Sequence, residues 1–252
     1  MIQLERLSVH LGQSLVVDDL TLTLHRGRVT VIIGPNGAGK TSLLRALACL
    51  VRPSSGKILL DGDTLSDLKA EDRARRIGYL PQNGVPVWAV TVRDMVALGR
   101  IPHIGRFAAP NVQDDAAVET AMADADILHL ADRRVDSLSG GERARAKFAR
   151  ILAGESDWIL ADEPLANLDP PHQRDTLRLL KQAAQSGKGV VVVLHQLNAA
   201  ASLADDLLLL KQGRVCGFGP CSEALTSEAL LATFDMDMEI VNLERRTAIL
   251  PR

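Results

Sequence analysis

Apolar and polar positions alternate close to the start of the chain. Leu20-Thr21-Leu22-Thr23-Leu24 repeats with period two, and Val16 to Leu24 reads as a half-buried strand. After a turn at His25-Arg26-Gly27-Arg28, the run Val29-Thr30-Val31-Ile32-Ile33 is short, apolar and β-branched, as in a strand covered on both faces. The period then changes. Gly34 to Gly39 is rich in glycine, and from Lys40 to Leu50 the residues Leu43, Leu44, Leu47 and Leu50 recur at helical spacing. Strand, glycine loop and helix together begin a βα unit.

The same grammar returns in the second half. Asp157 to Ala161, Val190 to Leu194 and Leu207 to Leu210 read as strands. Pro171 to Gln185 reads as a helix with Pro171 in its first turn, and Leu197 to Leu203 as a shorter one. Arg214 to Phe218 is expected to pair back across the Gln212-Gly213 turn. This alternation predicts a mostly parallel α/β sheet. Between Thr91 and Ala153 the pattern is helical: Val92 to Leu98 capped by Thr91, Val112 to Ala123 capped by Asn111, and Gly141 to Gly154. The expected organisation is one domain over 1–252, with an α/β core from 1–83 and 156–252 and a helical insertion at 84–155. From about Thr233 the pattern is ambiguous, and Ile240 to Leu250 could be a closing strand pair or a small regulatory addition.

Composition excludes several classes of function. With 29 Lys and Arg against 31 Asp and Glu, the net charge of −2 gives no polyanion-binding signature, and 3% aromatics cannot furnish a base-stacking surface. No nucleic-acid partner is expected. No apolar run approaches the ~20 residues of a membrane span. The three cysteines, Cys49, Cys216 and Cys221, form no C-x-x-C pair and suggest neither a disulfide framework nor a zinc site.

Three motifs carry chemistry. Gly34-Pro35-Asn36-Gly37-Ala38-Gly39-Lys40-Thr41 fits G-x-x-x-x-G-K-[ST] between a strand and a helix. Small residues there let successive N–H groups converge on phosphates at the positive end of the helix, with Lys40 reaching the β- and γ-phosphates and the Thr41 hydroxyl meeting Mg²⁺. In Trp158-Ile159-Leu160-Ala161-Asp162-Glu163 a strand ends in two carboxylates, where open α/β sheets bind ligands. Beside a phosphate loop, Asp162 suits a Mg²⁺-bound water and Glu163 an attacking water. Leu138-Ser139-Gly140-Gly141-Glu142 opens a second helix with a hydroxyl and two glycines. Either the chain binds two anions, or two copies share each nucleotide across a two-fold axis.

With these motifs in this order, the chain resembles the nucleotide-binding subunit of an ABC transporter over nearly its whole length. The resemblance implies a P-loop NTPase core with an N-terminal antiparallel β-subdomain and an inserted helical subdomain. It implies ATP and Mg²⁺ as ligands, with Gly34 to Thr41 and Ser42 around the phosphates. Gln82, in Tyr79-Leu80-Pro81-Gln82, falls at the Q-loop, where the family places a Mg²⁺ contact. Leu138 to Glu142 falls at the signature, Ala166-Asn167-Leu168-Asp169 at the D-loop, and His195 at the switch histidine that contacts the γ-phosphate. Thr41, Gln82 and Asp162 would serve the metal, Glu163 would be the base, and Ser139, Gly140 and Gly141 would act on the nucleotide of a second copy. Three positions depart from the family's usual residues. Leu11 stands where an aromatic residue often stacks on adenine, Ala166 opens the D-loop in place of Ser, and Glu142 replaces a frequent Gln.

A separate subunit without spans resembles those of bacterial-type importers. This implies integral-membrane permease partners, an indirect link to a substrate-binding protein, and a place in the cytoplasm on the inner face of the cell membrane. Val85-Pro86-Val87-Trp88-Ala89-Val90 is a candidate groove for a permease helix or ordinary core. Gly99-Arg100-Ile101-Pro102-His103, Asp169-Pro170-Pro171-His172-Gln173 and His195-Gln196-Leu197-Asn198 resemble the subgroup that energises uptake of iron–siderophore, haem or cobalamin. Another importer cargo, or a soluble ATPase acting mechanically on a cytosolic partner, stays open. His103 and His172 lack a spaced ligand set, so no metal site is expected at either.

Overall fold

The computed structural model describes residues 1–82, 90–105, 108–243 and 246–251. The chain opens with an antiparallel pair, β1 (Ile2–Leu11) and β2 (Ser14–Leu24), joined through Gly12. β3 (Val29–Ile33) is buried at every position, as its unbroken apolar run requires, and leads into α1 (Lys40–Leu47). α1 is shorter than its apolar spacing suggests. Ala48 leaves the helix and Cys49 takes a left-handed φ of 55°, so Leu50 is exposed. Next come β4 (Ser55–Leu60), β5 (Asp63–Thr64), α2 (Ala70–Arg76) and β6 (Ile77–Leu80).

The middle of the chain holds α3 (Val92–Ala97), a 3₁₀ segment at Leu98–His103, α4 (Val112–Asp124) and α5 (Gly140–Ala153). Thr91, Asn111 and Ser139 cap these helices, each in a reciprocal capping box with the acidic residue three positions on. The helices bury their own cluster, which includes Val92, Val96, Met122, Ile127 and Ala149. The expected groove at 85–89 lies outside the described residues.

The second half supplies β7 (Trp158–Asp162), α6 (Pro170–Gln185), β8 (Gly189–Val193), α7 (Leu197–Leu203), β9 (Asp206–Lys211) and β10 (Arg214–Pro220). α8 (Cys221–Ala224), α9 (Ser227–Phe234), β11 (Met238–Leu243) and β12 (Arg246–Pro251) follow. The six-stranded sheet runs β10-β9-β3-β8-β7-β6, parallel except for the β9–β10 hairpin. β3 therefore sits inside the sheet, flanked by strands from the far end of the chain. A second sheet, β2-β1-β4-β5, packs across α1 and shares a core with the other face of the large sheet. Burial of both faces explains why β3, β7 and β8 carry no polar alternation. At the start of the β7–β8 register, Trp158 pairs with Gly189, and a Cβ there would lie 2.3 Å from the indole.

The ambiguous C-terminal stretch is a strand pair. β11 and β12 form a separate antiparallel hairpin whose Met238 and Ile249 join the core beside α7. The Ile249 N–H donates to the Asn198 side chain at 2.7 Å.

Candidate active site

The site is built at one end of the large sheet. Because β3 lies between β8 and β9, the chain leaves it among the carboxyl ends of parallel strands. Backbone packs so closely on the loop that glycine is dictated at two positions. A Cβ on Gly34 would lie 2.0 Å from the Leu210 carbonyl oxygen, and one on Gly39, at φ 96°, 2.1 Å from that of Val16. Gly37 has open space on its Cβ side, and Asn36 beside it is exposed. The loop is thus clamped from behind and free in front.

Lys40 opens α1 yet is 95% buried, with 5% relative exposure. Its Nζ donates to the carbonyl oxygens of Gly34 at 2.8 Å and Pro35 at 2.9 Å, arching the side chain over the loop. An ammonium has three protons, so one is left for an anion in front of the loop. Burial pushes its pKa down, and the charges of Glu163 and Asp162 pull it back up.

Asp162 ends β7 with 1% exposure. The Thr41 hydroxyl donates to its Oδ1 at 3.1 Å. Burial holds the Asp162 carboxyl above the usual range, against the Thr41 hydrogen bond, and the charge of Glu163 adds to the rise. A hydroxyl and a buried carboxylate in contact are hard oxygen donors of the kind that suit Mg²⁺. That ion typically takes one or two protein oxygens and completes its shell with phosphate and water.

Glu163, one residue beyond the strand, has a left-handed φ of 47°, a conformation that costs a non-glycine residue roughly 1–3 kcal/mol. It is held there by Glu163 N–H to the Val193 carbonyl at 3.1 Å and Ala166 N–H to the Glu163 carbonyl at 3.1 Å. The carboxylate accepts a hydrogen bond from Gln82 Nε2 on Oε2 and pairs with His195 Nε2 on Oε1. Gln82, Glu163 and His195 lie just past the ends of β6, β7 and β8, three adjacent strands. The residues expected from motifs 32 to 81 positions apart are thereby gathered on one carboxylate.

Ser139, Gly140 and Gly141 stand apart. Among the described residues they make no hydrogen bond to the phosphate loop. The Ser139 Oγ accepts from the Glu142 N–H at 3.3 Å, and the Glu142 carboxylate accepts from the Ser139 N–H at 2.8 Å. Glu142 thus completes the cap, and the Ser139 hydroxyl keeps its proton to donate outward. Gly140 shares a cavity of about 320 Å³ with Gln82, Glu163 and Asn167. A larger groove of about 930 Å³ between α4 and α6 contains none of the motif residues. One relation had no local signal in the sequence: the imidazole of His172, in Asp169-Pro170-Pro171-His172-Gln173, lies against Gly141.

Comparison with known proteins identifies the chain's relatives. The family model described as ABC transporter matches residues 17–166. The hemin import ATP-binding protein HmuV of Pseudomonas entomophila is 42% identical over 94% of both chains. The ferric enterobactin transport ATP-binding protein FepC of Escherichia coli is 39% identical over 94% of this chain and 88% of its own. Among solved structures, an inward-facing metal-chelate type ABC transporter superposes with a TM-score of 0.87 at 32% identity, covering 100% of this chain and 96% of that one. A dimeric bacterial ABC transporter cassette gives 0.74 at 28% identity, covering 88% and 99%. The family match over residues 17–166 and the similarity to ATP-binding transport proteins over nearly the whole chain show that the chain belongs to the ABC transporter family as an ATP-binding subunit.

Proposed function

We propose that this chain hydrolyses ATP to drive uptake of an iron chelate or haem through membrane permease subunits, working as a head-to-tail pair of copies on the cytoplasmic face of the membrane. The observation that carries the chemistry is the Glu163 carboxylate, held by Gln82 and His195 beside the Thr41–Asp162 pair. The cargo class is supported by the names of the relatives, which import hemin or transport ferric enterobactin. The pairing is supported by the dimeric cassette structure and by the outward-facing Ser139 hydroxyl. The α/β core and the helical part of 84–155 would act as the two lobes of each copy, the latter supported by its separate hydrophobic cluster.

In this reading the backbone N–H groups of Gly34 to Gly39, with the Lys40 ammonium, bind the β- and γ-phosphates. Thr41 and Asp162, with Gln82, would hold Mg²⁺, which when bound neutralises phosphate charge. Glu163 takes a proton from the water whose oxygen forms the new bond to the γ-phosphorus as the bond to the ADP oxygen breaks. Gln82 and His195 fix both oxygens of Glu163, so the base does not swing. His195 would also sense the γ-phosphate, and Ser139, Gly140 and Gly141 would close over the partner copy's nucleotide. Catalysis is then positioning plus electrostatics.

Glu163→Gln tests the chemistry. The amide keeps the shape and one acceptor oxygen but takes no proton, so ATP binding should persist while turnover falls by about 10²–10⁴-fold and a nucleotide-bound dimer accumulates. Unchanged ATPase would overturn Glu163 as base. For the cargo, the tagged chain is isolated from gently solubilised membranes. A copurifying multi-span permease supports the importer reading, and recovery only with a cytosolic partner would reject it.

A further inference from the structure

The two glycines of the Ser139-Gly140-Gly141 segment are constrained differently. Gly140 is exposed, and a Cβ added there would meet no atom within 4 Å. Gly141 is buried, and a Cβ there would lie 2.3 Å from both Cγ and Nδ1 of His172 and 2.5 Å from its Cδ2. These are closer than side-chain carbons approach, and the ring atom Cγ is one bond from the His172 Cβ, so it cannot yield without turning the whole side chain. His172 is itself tied into α6, where its carbonyl accepts from the Thr176 hydroxyl at 3.0 Å. Its Nδ1 is buried and has no hydrogen-bond partner among the described residues. What the ring offers Gly141 is therefore shape.

We propose that His172 is a positioning residue for ATP hydrolysis: its ring fills the side-chain space of Gly141 and seats the start of α5 against the start of α6, just after Ala166–Asp169. Glycine is required at 141 by this contact within the chain, and at 140 by what lies outside it. The connection is short. Glu163 leads through Ala166 and Asn167 to Asp169, the N-cap of α6, and His172 stands in that helix's first turn against Gly141. The segment offered to a partner copy's nucleotide is thus fixed to the loop that follows the chain's own Glu163. This inference rests on the proposed role of Ser139 to Gly141 in hydrolysis.

A double-mutant cycle on the full chain tests it. The variants are Gly141→Ala, His172→Ala, the pair together, and Gly140→Ala with and without His172→Ala. ATPase kcat and KM, binding of ATP to the single chain, and melting temperature are measured for each. Gly141→Ala is expected to lower kcat by about tenfold or more, and adding His172→Ala to restore a large part of that loss, because the new methyl then has room. His172→Ala alone should lower kcat with ATP binding to the single chain unchanged, and His172→Phe, which keeps a flat ring, should recover it. The effect of Gly140→Ala should be the same in either background. If the double variant is as impaired as Gly141→Ala, or worse, the proposal is wrong and the requirement at 141 comes from outside the chain. Should Gly141→Ala fail to fold, recovery of its melting transition by His172→Ala reads the same coupling, and no recovery rejects it. A wild-type chain without ATPase activity would instead refute the proposed role of the segment, while the melting temperatures would still decide the contact.

Discussion

The Thr41 hydroxyl and the Asp162 carboxylate meet at 3.1 Å across the sheet end, joining the first turn of α1 to the last residue of β7. The carboxylate that accepts from Thr41 is sealed from water at 1% exposure, and burial is the largest influence on it, raising its pKa. The sign follows from linkage. A carboxyl whose folded pKa exceeds its unfolded one gives its full stability below the unfolded value and loses it as pH rises through the folded value. At neutral pH the ionised Asp162 therefore costs stability.

Asp162→Asn should accordingly raise the melting temperature of the nucleotide-free protein at pH 7, while Mg²⁺-dependent hydrolysis is lost. The gain should shrink as pH falls through the raised value toward the ordinary aspartate value and be gone below it, because Asp162 is then protonated in both states. Melting curves from pH 3 to pH 8 with parallel ATPase assays check this. A variant less stable than wild type at pH 7 would contradict it.

Arg100 gives the opposite sign. Its guanidinium is buried and donates to Asp114 Oδ1 at 2.9 Å, the Ala153 carbonyl at 2.8 Å and Glu155 Oε2 at 2.5 Å, pinning the 3₁₀ segment to both α4 and α5. The Asn111 backbone N–H, then Arg100, hold the Asp114 carboxyl below the usual aspartate value. Its contribution is present above about pH 4 and lost as pH falls through the depressed value. Asp114→Asn should be less stable than wild type at pH 7 and converge with it in acid. Arg100→Met should be destabilising at all pH above that range, since it strands a buried carboxylate.

Leu11 ends β1 with 46% exposure, next to the Gly12 turn. An aliphatic side chain gives a base contact area but no π-face. ATP and GTP should therefore bind with similar affinity, and Leu11→Tyr should strengthen binding by about fivefold or more if the ring stacks on the base. Equilibrium titration with both nucleotides measures this, and a strong preference of the wild type for ATP would refute it.

Asn198 is a polar tie between α7 and the C-terminal hairpin. Asn198→Ala should cost about 1 kcal/mol, a fall in melting temperature of roughly 2–4 °C. Asn198→Asp keeps the acceptor for Ile249 N–H and should fall less.

How much of this was legible depended on range. The βα unit from Val29 to Leu47 could be read because an unbroken apolar run, a glycine loop and period 3.6 follow one another without interruption. The caps at Thr91, Asn111 and Ser139 could be read because each box closes within four residues. β4 and α2 were not foreseen: Ser55–Leu60 buries only Ile58 and Leu60, and Ala70–Arg76 buries nothing, so neither carries a clear period. Gln82 and His195 were identified by family order and Glu163 by its place at a strand end beside the phosphate loop, but that the first two meet on the Glu163 carboxylate is a product of strand order. Arg100 with Asp114, and His172 with Gly141, had no sequence signal, since each contact joins separate elements through side-chain shape and charge.

The place of β3 inside the sheet bears on how the molecule comes off the ribosome. Its two neighbours, β8 and β9, begin at Gly189 and Asp206. At ~5–20 residues per second, β3 waits roughly 10–30 s with both edges unsatisfied before its partners exist. During that time the strand leading into the phosphate loop is a sticky, unpaired segment, and the clamp on Gly34 from Leu210 has not been made. A truncated product ending before β8 would carry Gly34 to Thr41 without the neighbouring strands that hold the loop in place and without His195.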